Sequence, residues 1–305
     1  MTHRLVLLSG GTGLIGGRVC SDLLERGTAV RVLTRNVGSV ESRSDGSLSA
    51  IRWNGSELPV GSLSDCSAIV HLAGEPVFGG RLTPKRRILI RDSRVASTRA
   101  MVEAIAQQPT DRRPAVLVCA SAVGYYGDRG DEELTEDSPP GRGFLADVCR
   151  EWEEVAVTAE AHGVRVVRLR IGIVLSADGG ALSQMALPFR FGFGGRIGSG
   201  RQWFPWIHID DIAALIGRAL DDEGYTGAVN ATAPNPVRNN ELTRTLGRVL
   251  NRPTLLPVPA AVLQLALGEL AGELLGSRRV VPAVALARHF EFRYPEIEAA
   301  LAQAL

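Results

Sequence analysis
A chain of 305 residues is long enough for one large α/β domain with a smaller appended part. Its 34 basic and 33 acidic side chains nearly cancel, so bulk charge leaves no footprint for nucleic acid or a membrane surface. Cys20, Cys66, Cys119 and Cys149 are scattered without metal-ligand spacing, so no metal is expected; they read as reduced core thiols of a cytoplasmic protein.

The run Arg4-Leu5-Val6-Leu7-Leu8 reads as a buried strand, and Leu14 to Arg26 carries apolar residues at helical spacing. Between them lies Ser9-Gly10-Gly11-Thr12-Gly13-Leu14-Ile15-Gly16. Gly10, Gly13 and Gly16 give the G-x-x-G-x-x-G form of the dinucleotide fingerprint. Glycines there permit a tight turn, let a diphosphate approach bare backbone, and bring helix and strand together. The helix N-terminus then offers unpaired N–H groups to phosphate. Taken alone, the same stretch is an ordinary loop; its place between strand and helix favours the cofactor. No signal peptide is visible, because the N-terminal apolar run is short and flows into the glycine turn.

Ala29 to Leu33 is a second strand, ending in Thr34-Arg35. A cation at this point pairs with the 2′-phosphate of NADP, where an acid would bind the ribose of NAD. The other reading of Arg35 is a solvated loop residue. Asn36 to Ser49 reads as a loop, Ile51 to Trp53 as a short strand, and Ala68 to Gly74 as a fourth strand. Leu72, Ala73 and Gly74 at its end are small enough or apolar enough for a cofactor to lie against. His71 reads as a packing residue. Arg86 to Gln107 is a long helix, on which Arg94 either touches the cofactor or pairs with an acid. Ala115 to Ala120 is a fifth strand leading into Ser121-Ala122-Val123-Gly124-Tyr125-Tyr126-Gly127. Asp128 to Gly143 reads as a loop, Phe144 to His162 as a helix and Val164 to Leu169 as a sixth strand. This alternation predicts a doubly wound parallel sheet.

Beyond Ser176 the pattern loosens. Phe191 to Arg201 is glycine-rich but opens no helix, so it is not a second nucleotide loop; Arg196 and Arg201 there are candidate anion contacts over a substrate cleft. Trp206 and His208 are expected to line that cleft, and Asp210 or Asp211 to cap the helix Ile212 to Leu220. Val229 to Ala231 is a further strand. Residues 239–305 read as mostly helical; the longest apolar segment, Ala260 to Leu275, is interrupted by Gln264, Glu269 and Glu273 and reads as a core or interface helix. The expected division is a dinucleotide-binding domain over 1–235, with 176–205 contributing to the cleft, and a small helical domain over 236–305. The hydrophobic C-terminal helices offer a surface for oligomers or partners.

The chain resembles the extended short-chain dehydrogenase/reductase superfamily, in its epimerase-family branch (nucleoside-diphosphate-sugar-epimerase-like, sometimes labelled cell-division inhibitors). The likeness is carried by the glycine turn, by Leu72-Ala73-Gly74-Glu75-Pro76, by Ile90-Arg91-Asp92-Ser93-Arg94 and by Ser121 to Gly127. Gly198 to Gln202, Trp206 to Asp211 and Asn230 to Pro236 extend it into the C-terminal part. It implies a Rossmann-type fold with Thr12 to Ile15, Thr34, Arg35, Leu72, Ala73 and Arg94 against NADP(H). In the superfamily a Ser acts with a Tyr and a Lys four residues later; the Tyr exchanges the proton, and the Lys holds the nicotinamide ribose and lowers the Tyr pKa. Here Leu145 and Cys149 stand in those places, and Arg150 is about 100° further round the helix. Tyr125 or Tyr126, near Ser121, is the candidate acid; the other reading has both walling the pocket. Function therefore divides between an NADP(H)-dependent oxidoreductase or epimerase on a small carbonyl or sugar-like substrate and a non-catalytic NADP(H)-binding redox sensor or partner-binding protein.

Overall fold
The computed structural model describes residues 5–78 and 80–305. Arg4, placed in the first strand by its sequence, lies outside the described residues. Seven strands form one parallel sheet: β1 (Leu5–Ser9), β2 (Ala29–Thr34), β3 (Leu48–Arg52), β4 (Ala68–His71), β5 (Val116–Ala122), β6 (Arg165–Ile171) and β7 (Gly227–Ala231). Their order is β3-β2-β1-β4-β5-β6-β7. The central strands are apolar on both faces because helices cover both.

The longer helices are α1 (Leu14–Glu25), α2 (Pro84–Ala106), α3 (Phe144–Val157), α4 (Ala181–Arg190), α5 (Ile209–Asp221), α6 (Asn239–Leu250) and α7 (Ala260–Leu267). On one sheet face Val19 and Leu23 of α1 and Ile212, Leu215 and Ile216 of α5 pack with Val6, Leu8, Val118 and Leu169. On the other, Val95, Met101 and Ile105 of α2 and Trp152 and Ala156 of α3 pack with Leu7, Ile69, Leu117 and Val166. This is the doubly wound sheet that the strand–helix alternation predicts.

A third apolar cluster joins Leu175, Leu182, Phe189, Phe204 and Trp206 to Leu242, Leu246, Ile297 and Leu301. The smaller lobe thus draws on chain from both sides of residue 235. Short strand pairs bind it together: Ile173–Leu175 with Trp206–His208, and Trp203–Phe204 with Val237–Arg238. Residues 128–143 are likewise less irregular than their composition suggests, since Glu133–Leu134 pairs with Arg279–Val280. Strand β3 begins at Leu48 inside the expected loop, and α3 stops at Val157 before a 3₁₀ turn over Thr158–His162.

Two expectations about the C-terminal half are corrected. Ala260 to Leu275 is not one core helix: α7 ends at Gly268, whose φ of 61° suits glycine, and none of α7 is buried. Helix α5 is capped by His208, whose Nδ1 accepts from the Asp210 N–H at 3.2 Å. Asp210 and Asp211 instead lie inside its first turn, where they suit the helix dipole. Asp211 receives the backbone N–H groups of Arg293 and Tyr294 at 2.7 and 3.0 Å, tying the C-terminal segment to α5.

Candidate active site
Strand order reverses between β1 and β4, and the loops leaving their carboxyl ends flank a crevice of the kind that binds ligands in open α/β sheets. The glycines of the first loop divide by cause. Gly10 has a φ of +73°, and a Cβ there would lie 2.9 Å from the Leu72 carbonyl carbon, so the approach of the two loops requires glycine. A Cβ on Gly16 would collide with the Gly10 carbonyl, and one on Gly11 would meet Val32 at 2.9 Å. Gly13 differs. Its φ of −88° is open to any residue, and its Cβ would meet only the Gly10 carbonyl, at 3.3 Å. The protein's own packing leaves space in front of Gly13.

Gly13 is also the N-cap of α1 and supplies no capping side chain. The first-turn N–H groups at Leu14, Ile15 and Gly16 therefore point toward that space with the positive end of the helix dipole. An anion fits this cradle, and a dinucleotide diphosphate is the anion the fold implies. Thr12 is exposed beside it. At the end of β2, Thr34 is buried and its hydroxyl bonds the Asn36 carbonyl at 3.2 Å; Arg35 is exposed and pairs with no carboxylate among the described residues.

His71 fastens the second loop to the first. The Ala73 N–H donates to Ser9 Oγ at 3.3 Å, the Ser9 hydroxyl to His71 Nδ1 at 2.6 Å, and His71 Nε2 to Ser97 Oγ at 3.2 Å. Burial pushes the imidazole down to about 4, so it is a neutral strut under Leu72, Ala73 and Gly74.

Below β5 runs a polar network that the sequence patterns did not single out. Ser121, Arg170 and Asn230 are register partners across β5, β6 and β7, so their side chains share one sheet face. Ser121 Oγ donates to Glu153 Oε1 at 2.7 Å. Arg170 grips both oxygens of Glu153 at 2.9 Å, and Arg168 adds a contact at 3.2 Å. Arg170 also donates to Tyr126 Oη at 2.9 Å, and Tyr126 donates to Asn230 Oδ1 at 2.6 Å. Glu153 and Arg170 are 4% and 3% exposed. The sequence signal was the pair Arg168 and Arg170, two residues apart and so on one face, among the apolar residues of β6.

The network holds two of the candidate catalytic residues, Ser121 and Tyr126, in hydrogen bonds within the protein. Both are buried, the Ser121 hydroxyl donates its hydrogen bond to Glu153, and burial pushes the Tyr126 phenol up to about 12. Tyr125 is placed otherwise. It is half-buried, its hydroxyl has no hydrogen-bond partner among the described residues, and the Arg170 guanidinium lies 3.6 Å over its ring. Tyr126 meets the same ring edge-on at 5.4 Å.

Leu145 and Cys149 of α3 face this strand end, 3.6 and 3.8 Å from where a Gly124 Cβ would lie. Neither can exchange a proton there, since burial pushes the Cys149 thiol up to about 12. Arg150 points to solvent and pairs with Asp147 and Glu154. Trp206 and His208 do not line a cleft. Trp206 is buried with its indole N–H on the Asn235 carbonyl at 3.3 Å, and His208 bonds Gln303 at 2.6 Å. Arg201 is exposed, while Arg196 spends two N–H groups on Gly198 and Ser199 carbonyls of its own loop, at 2.9 and 2.8 Å.

Residues 6–231 match the NAD dependent epimerase/dehydratase family. The chain belongs to that family. Residues 258–304 match a domain of unknown function, DUF1731. An Arabidopsis thaliana protein described as epimerase family protein SDR39U1 homolog, chloroplastic, is 42% identical over 97% of this chain and 85% of its own. The Bacillus subtilis epimerase family protein YfhF is 37% identical over 98% of this chain and 97% of its own. The crystal structure of human epimerase family protein SDR39U1 (isoform 2) with NADPH superposes with a TM-score of 0.85, at 34% identity, covering 98% of both chains. The fold of this family member is therefore that of the NAD(P)-binding epimerases, and no helix among its described residues is long and apolar enough to cross a membrane.

Proposed function
We propose that this family member is an NADP(H)-dependent oxidoreductase or epimerase of the extended short-chain dehydrogenase type, acting on a carbonyl or sugar-like substrate without a Tyr-x-x-x-Lys pair. The observation that carries the reading is Tyr125: a phenol with an uncommitted hydroxyl, held at the carboxyl end of β5 by a stacked guanidinium 3.6 Å away. Bound NADP(H) supplies or accepts the hydride. Tyr125 gives its proton to a carbonyl oxygen as the carbon takes up hydride, and takes it back in the reverse direction. Arg170 positions the ring, and Glu153 positions Arg170.

Arg35 favours the phosphorylated cofactor, being an unpaired cation at the end of β2, and the human relative was crystallised with NADPH. An Arg35→Asp protein is expected to lose about 10- to 100-fold in NADPH affinity, the worth of one charge-assisted phosphate contact, with NADH little changed. A loss below about threefold, by fluorescence titration, would make Arg35 a solvated loop residue.

The reaction is tested by single turnover. The NADPH complex is mixed with carbonyl compounds and 4-keto nucleotide sugars while reduced-nicotinamide absorbance is followed. Hydride loss in the wild type that falls about 100-fold or more in Tyr125→Phe establishes the enzyme and its acid. Leu145 and Cys149 favour a second reading, a cofactor-binding sensor without turnover. That reading gains if NADPH binds tightly and survives every compound.

A further inference from the structure
Apolar residues of a folded chain normally go inside, and one helix here does not. Helix α7 reads Ala260-Ala261-Val262-Leu263-Gln264-Leu265-Ala266-Leu267, with Gln264 its one polar side chain, yet none of its residues is buried. A helix that is apolar all round is ordinarily a core helix. This one packs chiefly on its own continuation over 268–275, leaving Val262 and Leu265 54% and 76% exposed. It is nevertheless held in place. Arg81 donates to the Leu265 and Ala266 carbonyls at the end of α7, and Arg87, in the first turn of α2, pairs with Glu269 just beyond it. Two turns further along α2, Arg94 packs against Gly74 at the crevice. Helix α7 is thus moored beside the candidate site.

The neighbouring chain widens the apolar surface and gives it a charge. The segment entering α7 runs alongside the loop that leaves α4. The Leu256 N–H donates to the Gly194 carbonyl at 3.4 Å, the Val258 N–H to the Arg196 carbonyl at 2.8 Å and the Gly198 N–H to the Val258 carbonyl at 2.9 Å. Those bonds join the segment carrying Leu255 and Leu256 to a loop carrying Phe191 and Phe193, and all four side chains are half exposed or more. Six of the twelve large hydrophobic side chains exposed among the described residues thus fall within 191–193 and 255–265. Monomers rarely leave so much apolar surface together without a use for it. Residues 190–201 and 252–268 hold Arg190, Arg196, Arg201 and Arg252 and no Asp or Glu, in a chain whose charges otherwise nearly cancel. Among the described residues, ion pairs begin only at the borders, Arg248 with Glu298 and Arg87 with Glu269.

We propose that α7, with the loop that leaves α4, docks the protein on an anionic lipid surface. A bilayer matches both properties in order of depth: its phosphates meet the arginines at headgroup level, and the acyl chains beneath receive the helix. At 1.5 Å per residue α7 is about 12 Å long, too short to span, so it lies at the boundary between the two layers. Pro257 and Pro259 stiffen the approach to it, which leaves less freedom to lose on insertion. Two other occupants fit less well. A second copy related by a two-fold axis brings the same arginines to the same interface. A protein groove takes one face of an amphipathic helix, and α7 has no polar face to leave in water. Whole-chain charge hides the element because the balancing acids lie elsewhere. The proposal stands apart from the cofactor reading and does not rest on it.

The test is flotation of the full chain with vesicles of equal parts phosphatidylcholine and phosphatidylglycerol, against vesicles of phosphatidylcholine alone. Wild type is expected on the anionic vesicles, about tenfold or more weaker on the neutral ones, and released by added salt. Val262→Asp with Leu265→Asp should lower binding to the anionic vesicles at least about 30-fold, since two charges must then enter the acyl boundary. Its melting temperature should stay that of wild type, because both side chains are exposed. Arg190→Gln with Arg252→Gln should lose about 10- to 30-fold on anionic vesicles and little on neutral ones. If the aspartate protein does not fold, the glutamine protein decides. Wild type that stays off the anionic vesicles overturns the proposal, as does equal binding to both kinds, or an aspartate protein that binds like its parent. Light scattering covers the rival occupant. A lipid-free dimer that the aspartate pair converts to monomer would assign the face to a second copy and overturn the proposal.

Discussion

A Gly13→Val protein is expected to fold as stably as its parent and to lose at least about 100-fold in affinity for NADPH and NADH alike. The separation follows from where the side chain would go. Gly13 has ordinary backbone angles, and the protein offers its Cβ a single neighbour at 3.3 Å, the Gly10 carbonyl. A valine can be built there at small cost to the apoprotein. What it fills is the space over the α1 N-terminus that a diphosphate must enter to reach the helix N–H groups. Gly10 and Gly16 are the controls. Valine at Gly10 would need a left-handed φ of +73° and would press on the Leu72 backbone, and at Gly16 it would collide with the Gly10 carbonyl. Those two proteins should unfold at lower temperature. Thermal melts with titrations of both cofactors read the two effects separately. A Gly13→Val protein that binds normally would mean the crevice at β1 is not the phosphate site.

The same contrast shows what the sequence could and could not disclose. All three glycines were visible as a motif, but only the built backbone separates those that serve the turn from the one that serves a ligand. The central strands were legible because burial on both faces leaves unbroken apolar runs such as Val116 to Cys119. Short-range rules failed where distant chain supplies the partner. Preference at helix starts favoured Asp210 or Asp211 as the cap of α5, yet His208 takes that place while a C-terminal segment claims Asp211. Trp206 looked like cleft lining because its companions in the third cluster, Leu242, Leu246 and Leu301, lie far along the chain. Ser121 was found by resemblance. Its acceptor was not, since Glu153 is 32 residues away on α3 and becomes a partner only when α3 packs on β5.

Glu153→Gln is expected to destabilise the fold by about 3–5 kcal/mol, read by urea denaturation, because it leaves a buried guanidinium uncompensated. The carboxylate holds Arg170 by two bonds of 2.9 Å and accepts from the Ser121 hydroxyl at 2.7 Å, with both members of the ion pair under 5% exposed. A neutral amide keeps the shape and loses the charge. Glu151, two residues earlier on the same helix, is the comparison: it pairs with Arg91 at 2.7 Å but at the surface, so Glu151→Gln should cost less than about 1 kcal/mol. Equal, small effects would mean that water reaches Glu153. Replacing both charges, as Glu153→Leu with Arg170→Met, should restore much of the lost stability, since a well-packed apolar pair often matches a buried ion pair. It should not restore hydride transfer. With Arg170 gone from the Tyr125 ring and Ser121 deprived of its acceptor, the double variant keeps the sheet and loses the orientation of the candidate acid. Stability recovered without turnover would assign the Glu153–Arg170 pair to positioning Tyr125, whereas full activity would leave it a structural tie between α3 and β6.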